Sequence, residues 1–277
     1  MMQQQRWDQL EATAATLPTD DLTRLLDGLC LTTEYAQALA KYQQARQSEL
    51  CRLTAGVHAT FIAWQIRGGA YAKYLGEGQA EGFLQHLNQA YEHLNYAFTT
   101  PAYQAEAAAR TVRVAMGLSE PEVAREAFAH CTSLVPEHLQ GHLFYFNILT
   151  PKWFGSEEEL EDFVDRAPTP ALHQLLQAMY LVELYNEVAD SSEIVKQKFR
   201  HDNARRIQAL TSLPPLAAQT LYAIYRNNYL AGLHHALGNA AARNEFLRQL
   251  GPASTYYPWM YFGLDWLAVQ KLAASPN

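Results

Sequence analysis

Helix-forming residues outnumber strand-forming ones so heavily that they set the fold class. The chain holds 42 Ala and 37 Leu against 10 Val and 6 Ile. Alanine and leucine favour helix, whereas the β-branched residues that pack well on a pleated sheet are scarce. No stretch alternates apolar and polar residues as a half-buried strand would. An all-α fold follows. Turn residues are sparse as well, 14 Gly and 12 Pro in 277 residues, so the helices are joined by short loops. With 49% hydrophobic residues, the chain has enough apolar surface to bury a large core.

Caps and breakers divide it into about thirteen helical segments. Residues 3–16 and 20–30 read as a hairpin turned at Pro18, followed by a long helical region over 33–75 with a break near Gly56. Further helices are expected over 79–98, 101–116, 120–134, 137–149, 157–167, 170–189, 191–210, 214–236, 239–250 and 257–273. Ser119 with Glu122, and Ser156 with Glu159, have capping-box spacing, in which the hydroxyl and the carboxylate each satisfy an orphan amide at a helix start. The organisation expected is an N-terminal hairpin and long helix over 1–53, a repeat region over 54–170, and a C-terminal helical region over 171–277 stacked on it within the same domain.

Self-similarity at a fixed offset supports the repeat region. Ala90, Leu94 and Ala97, then Pro101, recur 34 residues later as Ala124, Phe128 and Cys131, then Pro136, and more loosely as Leu160, Val164 and Ala167 before Pro168. Small residues let helices approach closely, a large one fills the groove between pairs, and proline ends the helix. This period and pattern is similar to the second helix of a tetratricopeptide repeat. The fold expected is therefore a tetratricopeptide-like right-handed superhelix of antiparallel helix pairs.

Two further segments are more specific. Ala63-Trp64-x-x-Arg67-Gly68-Gly69-x-x-Ala72, and Leu149-x-Pro151-Lys152-Trp153-x-Gly155-Ser156-x-Glu158-Glu159, flank Phe83, Leu87, Ala90 and Leu94. Together they resemble an uncharacterised bacterial family of tetratricopeptide-like helical domains that carries AWxxRG and LxPxWGGSxEE motifs. The resemblance spans roughly residues 50–170 and departs at Phe154, where the family more usually has glycine. It implies a helical-repeat fold and no particular activity.

Charge and cysteine usage narrow the function. A net charge of −7 provides no positive field for nucleic acid or an anionic membrane. Cys30, Cys51 and Cys131 are odd in number and widely spaced, so neither a disulfide framework nor a thiolate zinc site is expected, and a reducing cytoplasm fits. The N-terminus lacks the apolar core of a secretory signal, and no run of about 18 apolar residues suggests a membrane span.

The residues that chemistry would use are few. His138 and His142 stand at i and i+4, a spacing that chelates zinc, but no third ligand accompanies them. His86 with His93, and His234-His235, are weaker pairs. There is no phosphate loop and no nucleophile elbow. Lys196, Lys198, Arg200, Arg205 and Arg206 are interleaved with Glu193 and Asp202, which suits a solvated helix face or a patch for an acidic partner. Tyr222, Tyr225, Arg226, Asn228 and Tyr229, and Tyr256, Tyr257, Trp259 and Tyr261, suit either core packing or an interaction groove. Trp64, Arg67, Pro151, Trp153, Gly155 and Ser156 read as structural, with a ligand-contacting Trp64–Arg67 pair as the alternative. Projecting the 34-residue offset onto the first helix of each pair matches Glu106 with Gln140 and Arg113 with Asn147. These four are the contacts expected on a concave surface.

The function expected is a non-catalytic scaffold or adaptor that binds another protein or peptide, with no cofactor, metal, nucleic acid or membrane. Two alternatives stay open: an immunity protein that neutralises a toxin, favoured by the acidic balance, and a metal-dependent hydrolase around His138 and His142.

Overall fold

The computed structural model describes residues 2, 4–68, 76–217, 220–251, 253, 255 and 257–274, and these are all-helical, without a strand. Gly69, Ala72 and Tyr256 of the sequence reading lie outside the described residues. The chain divides into two compact units, Met1–Ser156 and Glu157–Asn277. The first contains α1 (Trp7–Ala14), α2 (Thr19–Cys30), α3 (Ala36–Ala45), α4 (Glu49–Arg67), α5 (Glu77–Leu94), α6 (Pro101–Leu118), α7 (Pro121–Leu134) and α8 (Leu139–Ile148). The second contains α9 (Glu157–Asp165), α10 (Pro170–Val188), α11 (Glu193–Asp202), α12 (Ala204–Thr211), α13 (Leu221–Ala236), α14 (Ala240–Leu250) and α15 (Trp266–Ala274).

Consecutive helices pack on one another, α4 on α5 and α6 on α7 in the first unit, α13 on α14 in the second. The periodic apolar positions form the buried faces. Ala90 and Leu94 of α5, Ala124 and Cys131 of α7, and Leu160 and Val164 of α9 are all buried. Ala97 is not among them, because α5 ends at Leu94; Ala97 is exposed and Phe98 fills the core instead.

Three local expectations are corrected. The break in the long N-terminal helical region falls at residues 46–48, where the Ser48 hydroxyl accepts from the Cys51 amide and starts α4. Gly56 sits inside α4, where its lack of a side chain serves packing: a Cβ there would lie 2.6 Å from Leu94 Cγ. Ser119 does not cap α7. It takes the left-handed conformation after α6, φ 63°, while Pro121 opens α7 and Glu122 pairs with Arg125 at 2.5 Å. The segment predicted over 191–210 divides at Asn203 into α11 and α12.

The core of the first unit encloses a polar knot. Glu106 of α6 is fully buried; its carboxylate accepts from Thr23 Oγ1 of α2 at 2.6 Å and from Arg110 Nε at 2.7 Å, and His138 Nε2 lies 3.2 Å from it. Arg110 also pairs with Asp27 of α2 at 2.7 Å. His138 starts α8, its Nδ1 accepting from the Gly141 amide at 3.3 Å. That acceptance leaves Nε2, the nitrogen facing Glu106, as the ring's donor. One carboxylate thus joins three helices. Burial alone would raise its pKa, but Arg110, His138 and Thr23 outweigh it and hold it down at about 2.

Removing one partner of such a buried pair strands the other without solvent. Glu106→Gln is therefore expected to cost about 3 kcal/mol in urea unfolding at neutral pH. Because the folded pKa is depressed, the stability contributed by Glu106 is complete above its ordinary value of 4.5 and is lost as pH falls toward about 2. The stability difference between wild type and Glu106→Gln should shrink over that window. Comparing the two proteins cancels the contributions of carboxylates remote from the knot.

Candidate functional site

The two motif segments of the sequence, 89 residues apart between Trp64 and Trp153, meet in the first unit. Trp64 lies in the last turn of α4, and Trp153 lies in the loop after α8. Their rings meet edge to face at 5.9 Å, and Trp64 makes a second edge contact with Phe83 of α5 at 5.3 Å. Arg67 lies over both indoles, its Cζ 5.3 Å from each ring centroid. Arg113 of α6 also lies over Trp64, with Cζ 3.6 Å from the centroid and 5.9 Å from that of Phe144. A guanidinium over an indole face is attracted by the ring quadrupole.

Local chemistry explains why these side chains converge. α4 ends at Gly68, whose φ of 63° favours glycine, and Gln79 Nε2 donates to the carbonyl of Ile66 at 2.5 Å and of Arg67 at 3.2 Å. Gly117 of α6 leaves room for the ring stack: a Cβ there would lie 2.9 Å from Phe83 Cζ and 3.3 Å from Trp64. The 150–155 loop is held by its own backbone, with the Trp153 amide donating to Thr150 O at 2.9 Å and the Phe154 amide to Ile148 O at 3.1 Å. Gly155 is confined by the main chain, since a Cβ would fall 2.2 Å from the Leu149 carbonyl oxygen. Its place in the motif has a steric reason.

The cluster is half buried. Trp64, Arg67, Arg113 and Trp153 are intermediate in exposure, while Pro151, Lys152 and Phe154 are exposed. Trp64 Nε1 is buried and makes no hydrogen bond. Ser156 is exposed and immediately precedes α9, whose first turn carries Glu157, Glu158 and Glu159 beside the positive end of the helix dipole.

The four concave-surface candidates separate. Arg113 joins the cluster. Glu106 is withdrawn as a surface contact, since the polar knot fully encloses it, and so is Gln140, only 5% exposed. The 34-residue offset matched them in sequence, but α2 covers the face of α6 that Glu106 occupies. Asn147 is half buried, and its Nδ2 donates to Leu143 O at 2.8 Å. Sequence reasoning missed Phe144 of the cluster, and Thr23, Asp27 and Arg110 of the knot. The available signal was two polar pairs at i and i+4, Thr23 with Asp27 and Glu106 with Arg110, embedded in apolar helices.

The other candidates have structural duties. His138 is engaged with Glu106 and Gly141, while His142 Nδ1 lies 3.0 Å from His138 O and its ring meets Phe128 edge-on at 5.1 Å. Among the described residues no group of three or more His, Cys, Asp or Glu is placed to hold a metal ion. Cys30, Cys51 and Cys131 are buried and free, and burial pushes the Cys131 thiol up to about 12. Lys198 pairs with Asp202 at 3.1 Å, Arg200 with Glu193 at 2.7 Å, and Arg206 with Glu161. Tyr229 and Trp259 are core residues of the second unit, with Trp259 Nε1 donating to Asn228 Oδ1 at 2.9 Å, and Tyr222 donates to Ala171 O at 2.8 Å. Among the described residues, no helix is long and apolar enough to cross a membrane.

Compared with known proteins, the chain matches no family model, no curated protein and no solved structure.

The loop geometry makes a direct prediction. Gly155→Ala has to move the backbone to clear the Leu149 carbonyl and is expected to destabilise the protein by roughly 1–3 kcal/mol. The same variant should change the near-ultraviolet circular dichroism of the Trp64–Trp153 pair, because the loop that positions Trp153 must shift.

Proposed function

We propose that the protein is a non-catalytic helical-repeat scaffold that binds another protein or peptide, and that Trp64, Arg67, Arg113 and Trp153 mark the docking site. The observation that carries this reading is the meeting of two distant motif segments in one half-buried set of indoles and guanidiniums. Tryptophan and arginine dominate the binding energy of protein interfaces, because they offer large rigid contact areas with directional polar groups. An exposed rim of Pro151, Lys152 and Phe154 continues the surface.

The helix pairs within 54–156 are read as tetratricopeptide-like, stacking with a right-handed twist, in the uncharacterised bacterial family that the AWxxRG and LxPxWGGSxEE motifs resemble. Support comes from Ala90 and Leu94 of α5 and Ala124 and Cys131 of α7, buried positions of the 34-residue pattern, with Phe128 half buried. Free, buried thiols support a reducing compartment, the cytoplasm. A second reading within the same class, an immunity protein that neutralises a basic toxin, is favoured by the net charge of −7 and by the exposed carboxylates that open α9.

The test is affinity purification from the native host using the wild type and Trp153→Ala, with the fold of both checked by circular dichroism. A partner recovered stoichiometrically by the wild type should fall at least about tenfold with the variant. Equal recovery by both proteins would remove the cluster from the interface. A strongly basic partner that the chain inactivates would select the immunity reading.

A further inference from the structure

The second unit contains an open cleft of about 450 Å³ between α11, α12, the end of α13 and the start of α14, bordered by Arg200, Ile207, Gln208, His234, Leu237 and Asn239. That volume lies within the range of small-molecule sites. The cleft borders an anomaly. His234 is 1% exposed, and both of its ring nitrogens are buried without a hydrogen-bond partner. Its ring stacks on Phe246 at 5.5 Å with an interplanar angle of 23°, a contact that uses the imidazole face and leaves the nitrogens unmet.

The other buried histidines each have a partner at one ring nitrogen, His138 Nδ1 accepting from the Gly141 amide and His142 Nδ1 lying 3.0 Å from His138 O, whereas neither nitrogen of His234 has one. Leaving a buried polar group without a partner costs about 1–3 kcal/mol, so a chain that keeps one beside a cleft points to an occupant. Burial also holds the His234 pKa below its ordinary value, so the free ring is neutral near pH 7 and carries one N–H donor and one acceptor. The cleft surroundings favour negative charge at one end. Asn239 caps α14, an eleven-residue helix, with its Oδ1 accepting from the Ala242 amide. The positive end of the α14 dipole therefore borders the cleft. Arg200 stands at the rim, its guanidinium 2.7 Å from Glu193 and within reach of an incoming anion by exchange of partner. Ile207 and Leu237 supply apolar wall.

We propose that this cleft binds a small organic carboxylate with an apolar body, its carboxylate accepting from the His234 ring and facing Arg200 and the head of α14, with Ile207 and Leu237 against the apolar body. The site lies in the second unit and is independent of the docking site proposed in the first.

The experiment is a titration of the full chain, ¹⁵N-labelled at histidine, with hexanoate as the probe, hexanol as the uncharged analogue and inorganic phosphate as the anion without an apolar body. Hexanoate should shift the His234 ring resonances saturably at millimolar concentration. Phosphate should not, and hexanol should bind about tenfold more weakly, the loss expected when a hydrogen bond to a charged group is removed. His234→Leu deletes both nitrogens, keeps apolar bulk in the core, and should weaken hexanoate binding by about tenfold in calorimetry. If that variant fails to fold, Arg200→Gln at the exposed rim decides the matter, with a several-fold loss expected. The absence of any saturable response in the wild type would overturn the proposal. So would hexanol binding as tightly as hexanoate, or unchanged hexanoate affinity in a folded His234→Leu or in Arg200→Gln.

Discussion

The buried carboxylate of Glu106 is the constraint on which the first unit depends. It has no access to water, so its oxygens must be met by protein; Arg110 stands one turn along the same helix, while Thr23 and His138 come from positions that the packing of α2 and α8 on α6 provides. Apolar side chains tolerate sliding, since one methyl group serves much like another. A charged group with fixed donors does not, because any displacement leaves a buried charge partly unpaired. The knot therefore selects one register among the many that alanine-rich helices permit. Arg110 extends it to Asp27, which is about one-third exposed and links the core to solvent.

Small residues make the register accessible. Gly56 admits Leu94, and Gly117 admits Leu87 and Phe83. In the second unit Gly232 of α13 does the same for Pro258, whose Cγ would lie 2.4 Å from an added Cβ. These close approaches place the ends of α4, α5 and α6 near one another, so that Trp64, Phe83 and Arg113 share a neighbourhood with the loop that carries Trp153. The aromatic and arginine cluster is thus a consequence of helix spacing together with a loop whose glycine abuts the backbone.

Histidines show how much environment decides role. His138 and His142 have the spacing of a metal pair, yet one holds Glu106 and the start of α8 while the other packs on Phe128. His234, half of an unremarkable dipeptide, is the ring whose two nitrogens lack partners and which borders open space. Spacing along a helix states only which residues can share a face. What they meet there is settled by the helices packed opposite.

The sequence by itself determined the secondary-structure class, most helix positions and the buried faces of α5, α7 and α9, because helix propensity and a 3.6-residue apolar period are local properties that survive any arrangement of helices. It also singled out the segments that contain Trp64, Arg67 and Trp153, but only the tertiary structure brought them together. Only the tertiary structure decided that Glu106 and Gln140 are interior while Arg113 is at the cluster, that Gly56 is a packing contact and no helix break, and that Ser119 follows α6 instead of capping α7. It also decided that His234 lacks partners. Each of these depends on a residue distant in sequence, and burial, charge pairing and close approach are set by such neighbours.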